Sequence, residues 1–137
     1  MTLLALDTSV AVPLMVRTHV AHERVRGHLG SRQPVLTAHS LAETYSVLTR
    51  LPGDARVAAA DAARLIEANF GPVLMPKPAT VAALPGVLAP LGIVGGAVYD
   101  ALVALAAKGR GVPLGTRDAR AVGTYTAIGV DIEIIPE

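Results

Sequence analysis

Apolar and polar positions along the chain fall into short apolar runs separated by longer amphipathic stretches. The first run, "TLLALD" (2–7), is apolar without alternation, the pattern of a strand buried on both faces of a parallel sheet. Similar runs at "PVLT" (34–37), "PVLMP" (72–76), "VPLGT" (112–116) and "VDIEII" (130–135) predict further strands. "SVAVPLMV" predicts a short helix, with Pro13 tolerable only in its first turn. "THVAHERVRGHLG" predicts an amphipathic helix with Val20, Ala21, Val25 and Leu29 on one side and Gly30 as its stop. "AHSLAETYSVLTRL" is a helix followed by a Pro52-Gly53 turn, and "DARVAAADAARLIEANF" a long Ala-rich helix ended by Gly71-Pro72. "AVYDALVALAAKG" is helical and apolar on nearly every side, and "RDARAVGTYTAIG" predicts the last helix.

Strands therefore alternate with helices, and no connection is short enough for a β-hairpin. That pattern predicts one α/β domain over residues 1–137: a doubly wound parallel sheet of four or five short strands, with helices on both faces. Hydrophobic residues make up 52% of the chain and charged residues only 17%, so a charge inside an apolar run needs a reason. The uncharged stretch "PATVAALPGVLAPLGIVGGAVY" (78–99) is long enough to span a bilayer, but three prolines and four glycines break it. It predicts a short helix, a turn and the start of another helix, not a membrane span. The absence of cysteine excludes disulfides and thiolate metal sites and suits a reducing cytoplasm, and no basic segment before an apolar one suggests a secretory signal. A net charge of +1 makes whole-molecule attraction to nucleic acid weak, so such binding would need a local patch.

In open parallel sheets, ligands sit beyond the carboxyl ends of the strands. Asp7 closes the first strand, Asp118 follows "VPLGT", and Asp100 lies near the start of one of the most apolar helices, while Glu43 lies one to two turns into the helix after "PVLT". Singly, each Asp reads as a helix cap or dipole partner and Glu43 as part of a solvated face with His39, Ser40, Ser46 and Arg50. Together they read differently. Two carboxylates ~5 Å apart at an effective dielectric of ~20 repel by about 3 kcal/mol, so a gathered cluster needs a cation or captured protons. Carboxylates and hydroxyls are hard oxygen ligands, which suit Mg²⁺ or Mn²⁺ and the hydrolysis of phosphate esters.

The strand ending in "LDTS", then "SLAET", "VYDALVALAA" and "TRDARAVGTYTAIGV" before a last strand, resemble the PIN-domain ribonucleases, and among them the VapC toxins of toxin–antitoxin pairs. The similarity runs through essentially the whole chain in order. It implies that Asp7, Glu43, Asp100 and Asp118 form the catalytic, metal-binding acid cluster, with Mg²⁺ as cofactor and Mn²⁺ as a substitute. It also implies that Thr116 orients a ligand or water, and that Ser9 could steady Asp7, with helix capping an equal alternative for Ser9. The implied activity is endoribonucleolytic, leaving 5′-phosphate and 3′-hydroxyl ends, with a cognate VapB-type antitoxin, an RNA substrate and a homodimer. Gly115, where family members often carry an apolar residue, is expected to loosen the floor under Asp118. The His-rich helix lacks the family's tryptophan.

Other signals are weaker. Lys108, Arg110, Arg117 and Arg120 cluster in sequence near Asp118 and are candidates for RNA phosphate contacts, with ordinary solvated charge as the alternative. His19 and His22 lack zinc-protease order and read as packing or solvated groups, and His28 and His39 have no evident partner in sequence. No glycine pattern makes a dinucleotide or P-loop site, and no G-x-S-x-G elbow is present. With three Tyr, one Phe and no Trp, a broad stacking platform for single strands is not expected. A receiver domain would need an acid after the third strand, where "LMPKP" stands, and a haloacid-dehalogenase-type phosphatase needs D-x-D, where Ser9 follows Asp7. The rival from another class is a non-catalytic PIN-like module that binds RNA or protein.

Overall fold

The computed structural model describes residues 2–136. Four parallel strands form one sheet in the order β2-β1-β3-β4: β1 (Leu3–Leu6), β2 (Gln33–Leu36), β3 (Leu114–Thr116) and β4 (Ile132–Ile134). Eight α-helices accompany them among the described residues. These are α1 (Thr8–Met15), α2 (His22–Leu29), α3 (Ala38–Thr49), α4 (Ala59–Asn69), α5 (Pro78–Ala82), α6 (Leu84–Leu88), α7 (Ala97–Gly109) and α8 (Val122–Ile128). Short 3₁₀ turns occupy Gly53–Ala55 and Ala89–Leu91.

The central strand explains why its sequence does not alternate. Both edges of β1 are paired and both faces are covered, with Leu4 and Leu6 packing with Leu36, Val10 and Leu48 in one cluster. Ala5 joins Val35, Leu114 and the inner side of α7 in a second cluster, with Leu3 packed against it. The α7 alanines 101, 104, 106 and 107 are fully buried. Small side chains there let the helix backbone lie close to the sheet. No helix among the described residues is long and apolar enough to cross a membrane; residues 78–91 break into α5, α6 and a 3₁₀ turn, as the prolines and glycines predict.

Four expectations change. "PVLMP" is not a strand. Leu74 alone bridges to Thr37, with its N–H on the Leu36 carbonyl (2.9 Å) and its carbonyl accepting from Ala38 (3.0 Å). Pro72 and Pro76 remove the donors that would extend the ladder. Pro13 lies in the second turn of α1, not its first, so the Ser9 carbonyl has no helical donor; Arg117 Nη1 takes that place at 3.3 Å. Val20 is 95% exposed, because α2 begins only at His22, and His22 is the buried group: its Nδ1 donates to the Pro13 carbonyl near the end of α1 at 2.8 Å. The helices placed over 54–70 and 117–129 are shorter, starting at Ala59 and Val122.

The topology positions the acids. From β1 the chain moves to β2 on one side, then crosses to β3 on the other, so the carboxyl ends of β1 and β3 bound the crevice where strand order reverses. Helices α1 and α3 start at this edge. Helix α7, running back before β3, brings its first turn there too.

Candidate active site

Asp7 is the residue before α1, with an extended backbone (φ −81°, ψ 174°), yet its side chain makes no capping hydrogen bond. The carboxylate is turned into the fold instead. Its Oδ1 accepts from Ser9 Oγ at 2.5 Å, and its Oδ2 accepts from Thr116 Oγ1 at 2.5 Å and from the Tyr125 hydroxyl at 2.8 Å. The hydroxyls are themselves held: Ser9 Oγ accepts from Arg117 N at 2.8 Å, and Thr116 Oγ1 from Asp118 N at 3.0 Å. The pairing of Leu6 with Gly115 sets this, since it places the next residues, Asp7 and Thr116, side by side at the strand ends.

The other acids surround the same space. Asp100 sits in the first turn of α7 and is partly buried; Asp118 lies in the turn after β3, its Oδ1 accepting from Arg120 N at 3.0 Å. Glu43, on α3, is exposed and pairs with His39 one turn back at 3.4 Å. Asp7, Glu43, Asp100 and Asp118 line one small cavity of about 40 Å³, together with Thr8, Ser9, His39, Val103 and Tyr125.

The electrostatics follow from that gathering. Burial pushes the Asp7 carboxyl above its usual range, opposed by the Ser9, Thr116 and Tyr125 hydrogen bonds and reinforced by Asp118. Asp100 is also raised, by burial first and then by the charges of Asp118, Asp7 and Glu43, with His39 opposing. Tyr125 is pushed up strongly by burial and by Asp7, which holds its phenol as a donor. The charges gathered around Asp100 thus disfavour its ionisation, and that of Asp118 does the same to Asp7.

Among the described residues, no three acid or imidazole groups close into a ready metal-ligand set. The donor chemistry of the cavity nonetheless fits a hard divalent cation. Its walls carry four carboxylates and hydroxyls, no sulfur, and a Thr8 Oγ1 that is buried without a hydrogen-bond partner.

The candidate cations separate. Arg117 stands at the acid edge, its Nη1 on the Ser9 carbonyl, and lines a neighbouring cleft of about 300 Å³ that shares Thr8, Ser9, Glu43 and Asp118 with the acid cavity. Arg120 is exposed and lies 3.5 Å from Asp118. Lys108 and Arg110 belong to the far end of α7, Lys108 being roughly 12 Å along the helix from Asp100. Lys108 Nζ donates to the Ile128 carbonyl at 2.8 Å, at the end of α8.

Four contacts had no signal in the sequence. Tyr125 reaches Asp7 from 118 residues away. His39 stacks on Tyr99, and His28 and Arg32 bind Glu133 of β4 at 2.7 and 2.8 Å. Beneath Asp118 the floor is not loose, because a methyl on Gly115 would meet Leu4 and Leu6 at 3.5 Å, an ordinary contact distance.

A parallel sheet with acids from β1, α3, α7 and the turn after β3 around one crevice defines a PIN-type α/β domain. The PIN domain profile matches residues 4–125, and the chain belongs to this family. More narrowly, it is 56% identical to Ribonuclease VapC27 of Mycobacterium tuberculosis over 131 residues, 96% of each chain. It is 41% identical to Ribonuclease VapC40 of the same species, over 97% of this chain and 99% of that one. Its fold also matches the crystal structure of VapBC2 from Rickettsia felis bound to a promoter DNA fragment, with TM-score 0.65, 15% identity and coverage of 97% and 98%.

Proposed function

We propose that this protein is a divalent-metal-dependent endoribonuclease, the toxin of a VapBC-type pair, held in check by a VapB-type antitoxin. The observation that carries the reading is the convergence of Asp7, Glu43, Asp100 and Asp118 on one cavity at the switch point of the sheet. The ribonuclease names of relatives 56% and 41% identical over nearly the full chain support RNA as substrate. The likeness of the fold to the toxin–antitoxin complex VapBC2 accords with an antitoxin partner. A homodimer and residence in the cytoplasm belong to the same proposal.

Asp7, Asp100, Asp118 and Glu43 would hold Mg²⁺, with Mn²⁺ as a substitute. Bound there, such an ion would activate water and steady the charge that develops on phosphoryl oxygens. The chain's own residues do the positioning. Ser9, Thr116 and Tyr125 saturate the inner side of Asp7, so its carboxylate cannot swing away to cap α1. Thr116 also takes the Asp118 N–H, which ties the turn carrying the fourth acid to the first. Glu43 faces both the acid cavity and the adjoining cleft, from where it can orient a water. Arg117, anchored on the Ser9 carbonyl, puts a cation beside the acids for a substrate phosphate, and Arg120 adds a second, solvated one.

The direct test is cleavage of total cellular RNA by the purified protein, with and without Asp7→Asn, in Mg²⁺ and in chelator. The expected outcome is cutting by the wild type in Mg²⁺ alone, with 5′-phosphate and 3′-hydroxyl ends. Equal cutting by the Asn variant would refute the assignment.

A further inference from the structure

The acid cavity has an aromatic rim. His39, in the first turn of α3, lines the cavity, and its ring stacks on Tyr99 with centroids 5.3 Å apart and planes 21° from parallel. Tyr99 lies in the first turn of α7, next to Asp100. The pair therefore bridges the starts of two helices that each deliver an acid, Glu43 and Asp100. Glu43 also holds the imidazole of His39 at 3.4 Å, which sets the ring that sets Tyr99.

In spite of that contact Tyr99 is 56% exposed. The remaining aromatic rings do other things. Tyr125 is buried on Asp7, and Phe70 and Tyr45 line an apolar groove between α3 and α4. In a chain with four Phe, Tyr or Trp residues, one is thus left exposed at the edge of the acid site. Packing between α3 and α7 would be satisfied by an aliphatic side chain, and it gives no reason for a half-exposed phenol stacked on an imidazole. A flat ring pre-oriented by a second ring, beside groups suited to a phosphodiester, has the form of a stacking seat.

We propose that Tyr99, backed by His39, is a binding residue for one nucleobase of the RNA, next to the phosphodiester that enters the acid cavity. The proposal rests on the nuclease reading and deepens it. Stacking tolerates any base, because every base has a π-face, so the seat supplies grip and register in place of a sequence code. A single seat also agrees with the shortage of aromatics. The phosphates on either side would be left to Arg117 and Arg120.

The chain contains no tryptophan, so Tyr99→Trp makes a unique fluorescent reporter that keeps a large ring. In an Asp7→Asn background, which keeps the RNA whole, a short RNA hairpin should quench that indole saturably, and polyphosphate should not. Binding followed by anisotropy of the fluorescein-labelled hairpin should weaken about ten- to a hundredfold in Tyr99→Leu and stay within about threefold in Tyr99→Phe. An unchanged indole at RNA concentrations that anisotropy shows to be bound would overturn the seat. So would equal affinity of the Leu and Phe variants, even if Leu lowers the melting temperature. In the wild-type background, Tyr99→Leu should raise KM for RNA more than it lowers kcat. If the wild type cuts RNA and the Leu variant keeps its KM, the seat alone falls. If the wild type does not cut RNA, the nuclease reading falls and the seat with it.

Discussion

The phenol of Tyr125 donates to Oδ2 of Asp7 at 2.8 Å, joining the last helix to the end of the first strand. Both groups are buried, and the same oxygen accepts from Thr116. Helix α8 is thereby tied to the centre of the site by a charge-assisted hydrogen bond, the stronger sort.

Tyr125→Phe removes that donor and leaves the ring. The expected loss is about 1–3 kcal/mol, or roughly 4–12 °C in melting temperature, with a lower rate of RNA cleavage. Thermal unfolding and single-turnover cleavage check both. An unchanged melting temperature would mean that the bond contributes nothing.

Asp7 and Asp100 both titrate higher in the folded protein than the ordinary value of 3.8. For a carboxyl raised by folding, the contribution to stability is full below the unfolded value and is lost as pH rises through the folded one. In chelator, the melting temperature should therefore fall as pH rises from about 4 toward neutrality on account of these two groups. Asp100→Asn should melt higher than the wild type at pH 7 in chelator, while cleavage in Mg²⁺ drops ~100-fold or more. A lower melting temperature for Asp100→Asn would contradict the repulsion.

A divalent ion that binds only the folded protein stabilises it by mass action, about 2.7 kcal/mol at a concentration ~100 times Kd. Titrating Mg²⁺ or Mn²⁺ should raise the wild-type melting temperature progressively, and the rise should shrink in Asp7→Asn and Asp118→Asn. The same rise in wild type and variants would place the ion elsewhere.

Lys108 separates a cap from an RNA contact. Since its ammonium serves the Ile128 carbonyl, Lys108→Met should cost about 0.5–1 kcal/mol, roughly 2–4 °C, and leave RNA affinity unchanged. Arg117→Met should also lower the melting temperature, since it frees the Ser9 carbonyl, but unlike Lys108→Met it should weaken RNA binding, at low salt more than at high salt. Filter binding at two salt concentrations distinguishes the two.

Much of the fold was legible because burial leaves a mark on sequence. The run Leu3–Leu6 is apolar without alternation because both faces of β1 are covered, and α7 is legible from Ala97 to Gly109 because alanines and valines fill nearly every side. The misreadings have physical causes. "PVLMP" has the composition of a strand, but a ladder needs donors, and Pro72 and Pro76 supply none. By its own chemistry Pro13 is tolerable only in a first turn, yet it persists in the second because Arg117, distant in sequence, takes over the orphaned carbonyl.

By itself, the sequence determined four of the strands, most of the helices and the acids that stand at or near their ends, because hydrophobic period and turn chemistry are local properties. The meaning of those acids was not local. Whether Asp7 caps α1 or faces inward depends on hydroxyls from Thr116 and Tyr125, more than a hundred residues away, and Lys108 and Arg117 part company only because β3 stands between them. The strand order β2-β1-β3-β4 decided these matters: it sets the carboxyl ends of β1 and β3 side by side, and no spacing along the chain encodes that neighbourhood.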